Sequence, residues 1–113
     1  MGRVLASVEV PTGRWWVDSA TVGDAEMIRA ELLVREIGTV AGRKSLTLSG
    51  PLDGLGFDAL GQVLRCVVTA NGLQWEFDGT VARQKIESRI GRAGVSNTVT
   101  IRSSSQVEVR ELP

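Results

Sequence analysis

Hydrophobic and polar residues alternate along much of this chain, a pattern typical of strands that bury one face. The alternation is clearest in residues 62–81, QVLRCVVTANGLQWEFDGTV, where two β-prone runs flank Asn71 and Gly72. Both central residues of a type I′ turn need positive φ, and Asn and Gly tolerate it best, so this dipeptide is a strong hairpin signal. The sequence therefore predicts a two-stranded hairpin around which the rest of the domain is organised.

A two-residue turn also sets the register of this hairpin, because it places Ala70 opposite Leu73. The apolar face then consists of four pairs: Ala70 with Leu73, Val68 with Trp75, Cys66 with Phe77 and Leu64 with Gly79. The other face consists of four pairs that are mostly polar: Thr69 with Gln74, Val67 with Glu76, Arg65 with Asp78 and Val63 with Thr80. Gly79 is the weak point, since a glycine within a strand marks a bulge or a close approach of another backbone.

Several further stretches alternate in the same way. They predict strands at residues 3–10 with Val4, Ala6, Val8 and Val10 inward, 14–17, 44–49 with Leu46 and Leu48 inward, 98–102 and 106–110. Polar turns are predicted at residues 18–24 and 95–97. Residues 50–61 carry four glycines and predict an irregular connection that lays Leu55, Phe57 and Leu60 over one end of the core.

Residues 24–38, DAEMIRAELLVREIG, are compatible with either a helix or a strand. Asp24 is a suitable helix cap and Gly38 a suitable helix end. The helical apolar stripe is poor, however, because Arg35 and Glu36 interrupt it. Four alternating apolar positions favour a strand over about residues 27–37: Ile28, Ala30, Leu32 and Val34.

Together these elements predict a mainly β fold, a small antiparallel β-barrel or sandwich of about seven strands with at most one short helix. The chain has 113 residues, enough for one domain with its own core, and neither a repeat nor a long linker divides it. A single β domain over residues 1–113 is therefore predicted. No apolar run approaches the roughly 20 residues of a membrane span, so none is expected.

The available residue types argue against catalysis. The chain contains no His, which removes the commonest metal ligand and proton shuttle, and its single cysteine, Cys66, falls on the inner face of the hairpin. No spacing singles out a pair among the acids near the middle of the chain: Asp53, Asp58, Glu76 and Asp78. We expect no enzyme, and no catalytic, metal-binding or cofactor-binding residue. A lone cysteine is typical of a protein made in a reducing compartment.

Two adjacent tryptophans, Trp15 and Trp16, are candidates for an interface. Neighbouring residues on a strand point to opposite sides, so only one of them can face the core. The other either packs under a loop or on a crowded barrel rim, or is an interface anchor, since Trp is a favoured hot-spot residue.

A second candidate interface is the segment 82–94. It contains four cations and one acid, Glu87, in a chain whose net charge is zero: the cations are Arg83, Lys85, Arg89 and Arg92. This segment is either a solvated connection or hairpin arm, or a basic patch that meets an acidic partner surface. A nucleic-acid groove is not expected, because such grooves usually interleave aromatic residues with the cations.

Four segments carry a resemblance to a known family. They are residues 35–50 (REIGTVAGRKSLTLSG), residues 61–63 (GQV), residues 75–81 (WEFDGTV) and residues 98–103 (TVTIRS). Their order, over about residues 27–105, resembles the N-terminal barrel of phage tail hub proteins, the baseplate-hub family of Mu-like and contractile-tailed phages.

The resemblance implies a structural, ring-forming protein at the tail tip. Its partners would be copies of itself and other tail or baseplate proteins, its location the virion tail after assembly in the host cytoplasm, and it would carry out no catalysis. Should the resemblance not hold, a cytoplasmic protein is expected. A ligand-binding β-module for oligonucleotides or sugars is the alternative, and it would use an exposed tryptophan and the basic segment.

Overall fold

The structure, a computed structural model, describes residues 2–40, 42–52, 58–88, 95–104 and 106–113, with backbone alone at residues 87, 88, 95 and 96. Within these ranges the chain forms eight β-strands: β1 (Gly13–Val22), β2 (Ala25–Met27), β3 (Glu31–Glu36), β4 (Lys44–Pro51), β5 (Val63–Ala70), β6 (Leu73–Ser88), β7 (Val95–Ser103) and β8 (Glu108–Glu111). One 3-10 helix covers Ser7–Glu9. The predicted mainly β fold with at most one short helix is confirmed.

The strands pair antiparallel and close into a ring. The order β1–β3–β4–β7–β6–β5 returns to β1, because residues 17–22 of β1 pair with β5. Two short strands are added to this ring: β2 pairs with the end of β1, and β8 pairs with the beginning of β6. The fold is therefore a small antiparallel barrel, in which closure leaves the sheet without long open edges.

The hairpin formed by β5 and β6 has the predicted register at all eight residue pairs, from Ala70 opposite Leu73 to Val63 opposite Thr80. Asn71 and Gly72 have φ values of 54° and 72°, as a type I′ turn requires. The predicted charge pair also forms: Arg65 Nη1 lies 3.3 Å from Asp78 Oδ1, and the same guanidinium contacts Glu76.

Strand β1 changes partner along its length. Residues 13–16 pair with β3, and the remainder pairs with β5. The register against β5 shifts between Val17 and Ser19, so Asp18 is the extra residue of a β-bulge. The predicted turn at residues 18–24 is confined to residues 23 and 24. The strand continues to Val22, which is buried, because inward and outward positions still alternate through this stretch.

Residues 24–38 form strands, as their alternation favours, and not a helix. The predicted single strand is interrupted between β2 and β3, where Arg29 has a positive φ of 63°. Ala30 is buried at this interruption and is crossed closely by Gly50 of β4. A Cβ atom on Gly50 would lie 3.0 Å from Ala30 Cα and from Arg29 O, closer than an ordinary van der Waals contact, so the crossing favours a glycine.

The inward-facing residues of the ring form one apolar core, in which Trp75 and Phe77 are the largest fully buried side chains. The Trp75 indole Nε1 donates a hydrogen bond to Ala70 O at 3.0 Å. Its ring centroid lies 5.9 Å from that of Trp15, with the planes tilted by 31°. A buried indole N–H is costly unless it is paired, so this hydrogen bond permits a tryptophan at the centre of the core.

Gly79 makes the tightest contact of the barrel wall. A Cβ atom at this position would overlap Ile101 Cγ2 and lie 3.0 Å from Cys66 Sγ. The glycine therefore marks a close approach of side chains, and not of another backbone as one of the two predicted alternatives had it. The bulge lies further along β6, between Val81 and Arg83.

The N-terminal segment does not form the predicted strand over residues 3–10. Its first residues hydrogen-bond to β8, with Leu5 N donating to Val109 O at 2.8 Å, and the chain then turns into the 3-10 helix. Leu5 packs on the core, whereas Val4 and Val8 are exposed. The alternating pattern fails because β8 is only four residues long and offers no partner beyond the first residues.

Two further local predictions need correction. Residues 95–97 belong to β7, where pairing with β6 prevails over their turn-like composition. Leu60 is 61% exposed and does not cover the core. The leucine of this connection that is buried is Leu52. Leu55 and Phe57, predicted to act with Leu60, lie outside the described residues.

Cys66 is buried on the inner face of β5, as predicted, with its Sγ 3.5 Å from Leu64 O. Burial raises the pKa of this thiol to about 11. The unfolded chain loses the proton at a lower pH than the folded chain does. The thiol therefore contributes stability that is fully present below about pH 9 and is lost as the pH rises through about 11.

We expect the free energy of unfolding to fall by about 2 kcal/mol between pH 9 and 11 because of this group. Urea titrations across this range would measure the fall. The variant Cys66→Ala should be less stable at neutral pH, yet should lose less stability over the same interval. Identical pH slopes in the two proteins would contradict the assignment.

Candidate functional site

The structure separates the two adjacent tryptophans that sequence singles out. Trp15 points into the barrel, where it is partly buried beside Trp75 and opposite Leu32 of β3. Trp16 lies opposite Glu31 on the outer face, with 72% of its surface exposed. Of the two candidates, Trp16 therefore presents its ring to solvent, and Trp15 contributes to the core.

The outer face around Trp16 contains a second large apolar side chain and an ion pair. Ile28, in the link between β2 and β3, is 73% exposed. Arg14 Nε lies 2.6 Å from Glu31 Oε1 and spans the neighbouring strands β1 and β3. Large apolar side chains exposed together on one side of a small domain are typical of protein contact surfaces.

The hairpin formed by β1 and β2 carries three exposed acids, and we call it the acidic hairpin. Asp18 occupies the bulge, Asp24 the turn and Glu26 the middle of β2. In the described part of the chain, none of the three forms an ion pair. Arg29, across the hairpin from Asp18, is the one base in the adjoining link.

The acidic hairpin was not among the sequence-based candidates, although its signal is present. Residues 18–26 contain three acids and no base. This signal is easily missed when the segment is interpreted as a solvated turn, where charges are common.

The basic segment continues β6 as a ribbon with β7 that runs past the start of β5. Up to Lys85 this ribbon is still backed by β4, which pairs with β7 on the other side. β5 ends opposite Thr80, but β6 runs on to Ser88 and pairs with β7. Residues 82–88 therefore extend past β5 by about 23 Å, at roughly 3.3 Å per residue. This is the extended hairpin arm that the sequence offers as one alternative. Arg89 and Arg92 lie outside the described residues.

Three cations occupy the outward positions of β6 and β7, and we call them the basic face. Each of them lies opposite a threonine on the paired strand: Arg83 opposite Thr100, Lys85 opposite Thr98 and Arg102 opposite Thr80. Among the described residues, Arg83 and Arg102 have no ion-pair partner. Arg102 was not predicted, because only the pairing of β7 with β6 brings it beside Arg83.

The inward side of the ribbon is polar where the apolar core ends. Asn97 is 6% exposed, and its Oδ1 accepts a hydrogen bond from Gln84 Nε2 at 3.2 Å. Side chains that hydrogen-bond across the two strands hold the ribbon as a continuation of the barrel wall. The basic face is therefore presented on an ordered support up to this pair.

The other end of the barrel has an open groove of about 1100 Å³ between the N-terminal segment and β8. Most of its charged side chains form ion pairs, but Arg43, which also lines the groove, has no ion-pair partner among the described residues. Lys44 Nζ lies 3.0 Å from Glu36 Oε1, Arg65 pairs with Glu76, and Arg110 pairs with Glu108.

Trp16 and the basic face lie on different sides of the barrel. In the ring order β1–β3–β4–β7–β6–β5, strand β1 is three places from β7 and two from β6. The outer surface of β1 therefore faces away from that of β7. A single ligand cannot lie flat on both, so the arrangement suits two separate contacts.

Over the described ranges, no group of three or more His, Cys, Asp or Glu side chains is arranged to hold a metal ion. No helix in the same ranges has the length and apolarity to cross a membrane. The geometry thus defines a class, a closed antiparallel β-barrel with two charged exposed faces. Comparison with known proteins finds no matching family model, curated protein or solved structure.

Proposed function

We propose that this protein is a structural assembly module, a hub-like component of a phage tail or baseplate that forms rings with copies of itself and binds neighbouring tail proteins. One observation carries the proposal: the barrel exposes Trp16 on one side and the basic face on another. A head-to-tail ring requires two different surfaces on each subunit. Trp and Arg are also the residue types that dominate protein interfaces.

The assignment to a phage tail is supported by the sequence resemblance over about residues 27–105. Two of its segments, residues 75–81 and 98–103, belong to β6 and β7 and include Arg102 of the basic face. In this proposal the protein is located in the virion tail. Its work is binding rather than chemistry, which agrees with the absence of His from the chain.

The direct test is the native mass in solution by size-exclusion chromatography with light scattering, together with electron micrographs. A defined multimer seen as a ring, or co-purification with tail proteins, is expected. A monomer at all accessible concentrations would contradict the proposal.

The variant Trp16→Ser is expected to weaken self-association by roughly tenfold or more, because an exposed hot-spot tryptophan typically contributes about 2 kcal/mol or more to an interface. Its unfolding midpoint should stay close to that of the unaltered protein, because the ring is exposed in the isolated chain. Val8→Ser is the matched control, since Val8 is 77% exposed on the N-terminal segment. Equal association of both variants would exclude Trp16 from the contact.

A ligand-binding module is a second candidate, and the basic face is the observation that favours it. Its cations and threonines could contact phosphates, but Trp16 lies on another side and cannot stack on the same strand of nucleic acid. Binding to single-stranded DNA that falls steeply with salt, and that is lost in Arg83→Glu/Arg102→Glu, would favour this function.

A further inference from the structure

Resting on the proposed ring assembly, we propose that the basic face of one copy binds the acidic hairpin of the next. The partner of the acidic hairpin is thus a second copy of this chain, which contacts the hairpin with its β6–β7 ribbon. The contact would pair Arg83 and Arg102 of one copy with Asp24 and Glu26 of its neighbour.

The two surfaces are complementary in charge, and the charges that would form the contact have no ion-pair partners within the described part of one chain. Arg83 and Arg102 have no ion-pair partner among the described residues, and neither have Asp18, Asp24 and Glu26. The chain as a whole has 13 cations and 13 anions. A neutral chain that segregates opposite charges onto two sides attracts copies of itself in one orientation and repels them in the others.

Both surfaces lie at the same end of the barrel. Gly23 N donates to Arg65 O at 2.8 Å, which places the β1–β2 turn beside the early part of β5. The ribbon emerges at that end of β5, since β5 begins opposite Thr80 and β6 continues beyond it. The ribbon of one copy therefore reaches the hairpin of a neighbour placed beside it, and repetition of this contact builds a ring where the rotation between copies closes.

The acidic hairpin also offers apolar area and a strand edge. Trp16, earlier in β1, and Ile28, in the link that follows β2, are 72% and 73% exposed and adjoin the hairpin along the chain. The aliphatic stems of arginine pack well on such surfaces, and the guanidinium can lie over an indole ring. Among the described strands, β2 pairs with β1 alone, so the backbone of Glu26 has an edge open to another chain.

The test uses two reversed variants of the full chain. Asp24→Lys/Glu26→Lys makes the hairpin basic, and Arg83→Glu/Arg102→Glu makes the ribbon acidic. Each alone is expected to associate at least about tenfold more weakly than the unaltered protein, because like charges then meet across the contact. Circular dichroism and urea titration should show both folded, since all four side chains are exposed.

An equimolar mixture of the two variants is the decisive measurement. In the mixture, the reversed hairpin of one variant meets the reversed ribbon of the other, and the two remaining surfaces meet as in the unaltered protein. Association is therefore expected to return in analytical ultracentrifugation, with both variants in each multimer. Glu9→Lys and Arg35→Glu are the controls, since these exposed charges lie away from both surfaces.

The outcomes separate this contact from the proposed function. If the unaltered protein assembles and either reversal leaves it assembled, or if the mixture fails to recover, the contact is overturned while ring assembly stands. If the unaltered protein stays monomeric in low salt, ring assembly and the contact both fall. If the controls weaken assembly as much as the reversals do, the effect is not specific and the contact is likewise overturned.

Discussion

Replacing Trp75 with Ala is expected to lower the free energy of unfolding by about 3–5 kcal/mol, the cost typical of removing a buried aromatic ring. Trp75 is fully buried, contacts Trp15 and donates its indole hydrogen bond to Ala70 O. The variant would lose the ring contacts and leave a cavity at the centre of the core. Urea unfolding followed by far-UV circular dichroism would measure the loss.

Two matched variants separate the contributions at this position. Trp75→Phe retains an aromatic ring but leaves Ala70 O without its donor, so an intermediate loss of about 1–3 kcal/mol is expected. Trp16→Ala removes an equally large side chain from the surface and should change stability by about 0.5 kcal/mol or less. Similar losses for Trp75→Ala and Trp16→Ala would mean that the barrel does not depend on its central ring.

Gly79→Ala is expected to destabilise the barrel by about 1–3 kcal/mol, although it adds a single methyl group. The new Cβ atom would overlap Ile101 Cγ2 and press on Cys66 Sγ. β6 is paired on both sides at this position, with Leu64 and Ser103 opposite the glycine, so the backbone has little freedom to move away. Thermal and urea unfolding would both register the change.

A double-mutant cycle with Ile101→Ala identifies the cause. Removing Cγ2 of Ile101 makes room for the new methyl group, so Gly79→Ala should cost less in the Ile101→Ala background than in the unaltered chain. Gly38→Ala is the control for backbone strain alone: its φ is 56°, but a Cβ atom there meets nothing within 4 Å. It should cost about 1–2 kcal/mol. Additive costs in the cycle would exclude the steric explanation.

The hairpin of β5 and β6 was predictable because the residues that determine its turn and register are close together in the sequence. The Asn71-Gly72 turn sets the register, and the alternation on each side confirms which face is buried. The same holds for the strand character of residues 31–36, where Leu32 and Val34 alternate with outward residues. Alternation outweighed helix propensity there because both apolar residues face the core of the closed ring.

Elements that depend on a distant partner were predicted less well. Val4 and Val8 alternate like strand residues, but β8 is too short to pair with this segment beyond Leu5, and both valines are exposed. Residues 95–97 have a turn-like composition, yet they are held in β7 by β6. In both cases the length of the neighbouring strand decides the structure. That length cannot be read from the composition of the segment itself.

The candidate site was predictable only in part for the same reason. Adjacent tryptophans must point to opposite sides, but the choice of Trp16 as the exposed one depends on pairing with β3. The cations of β6 were visible as a cluster in sequence, whereas Arg102 joins them only through strand pairing. The acids of the β1–β2 hairpin became significant once their side of the barrel was known.

The closing seam between β1 and β5 has a consequence for biosynthesis. All of β2, β3 and β4 is translated between the two partners, from Val22 to Ala70. At about 5–20 residues per second, a ribosome needs on the order of 2–10 s to deliver the second partner. During that interval the nascent sheet is open along β1, so any chaperone that shields this protein would act before β5 has left the exit tunnel.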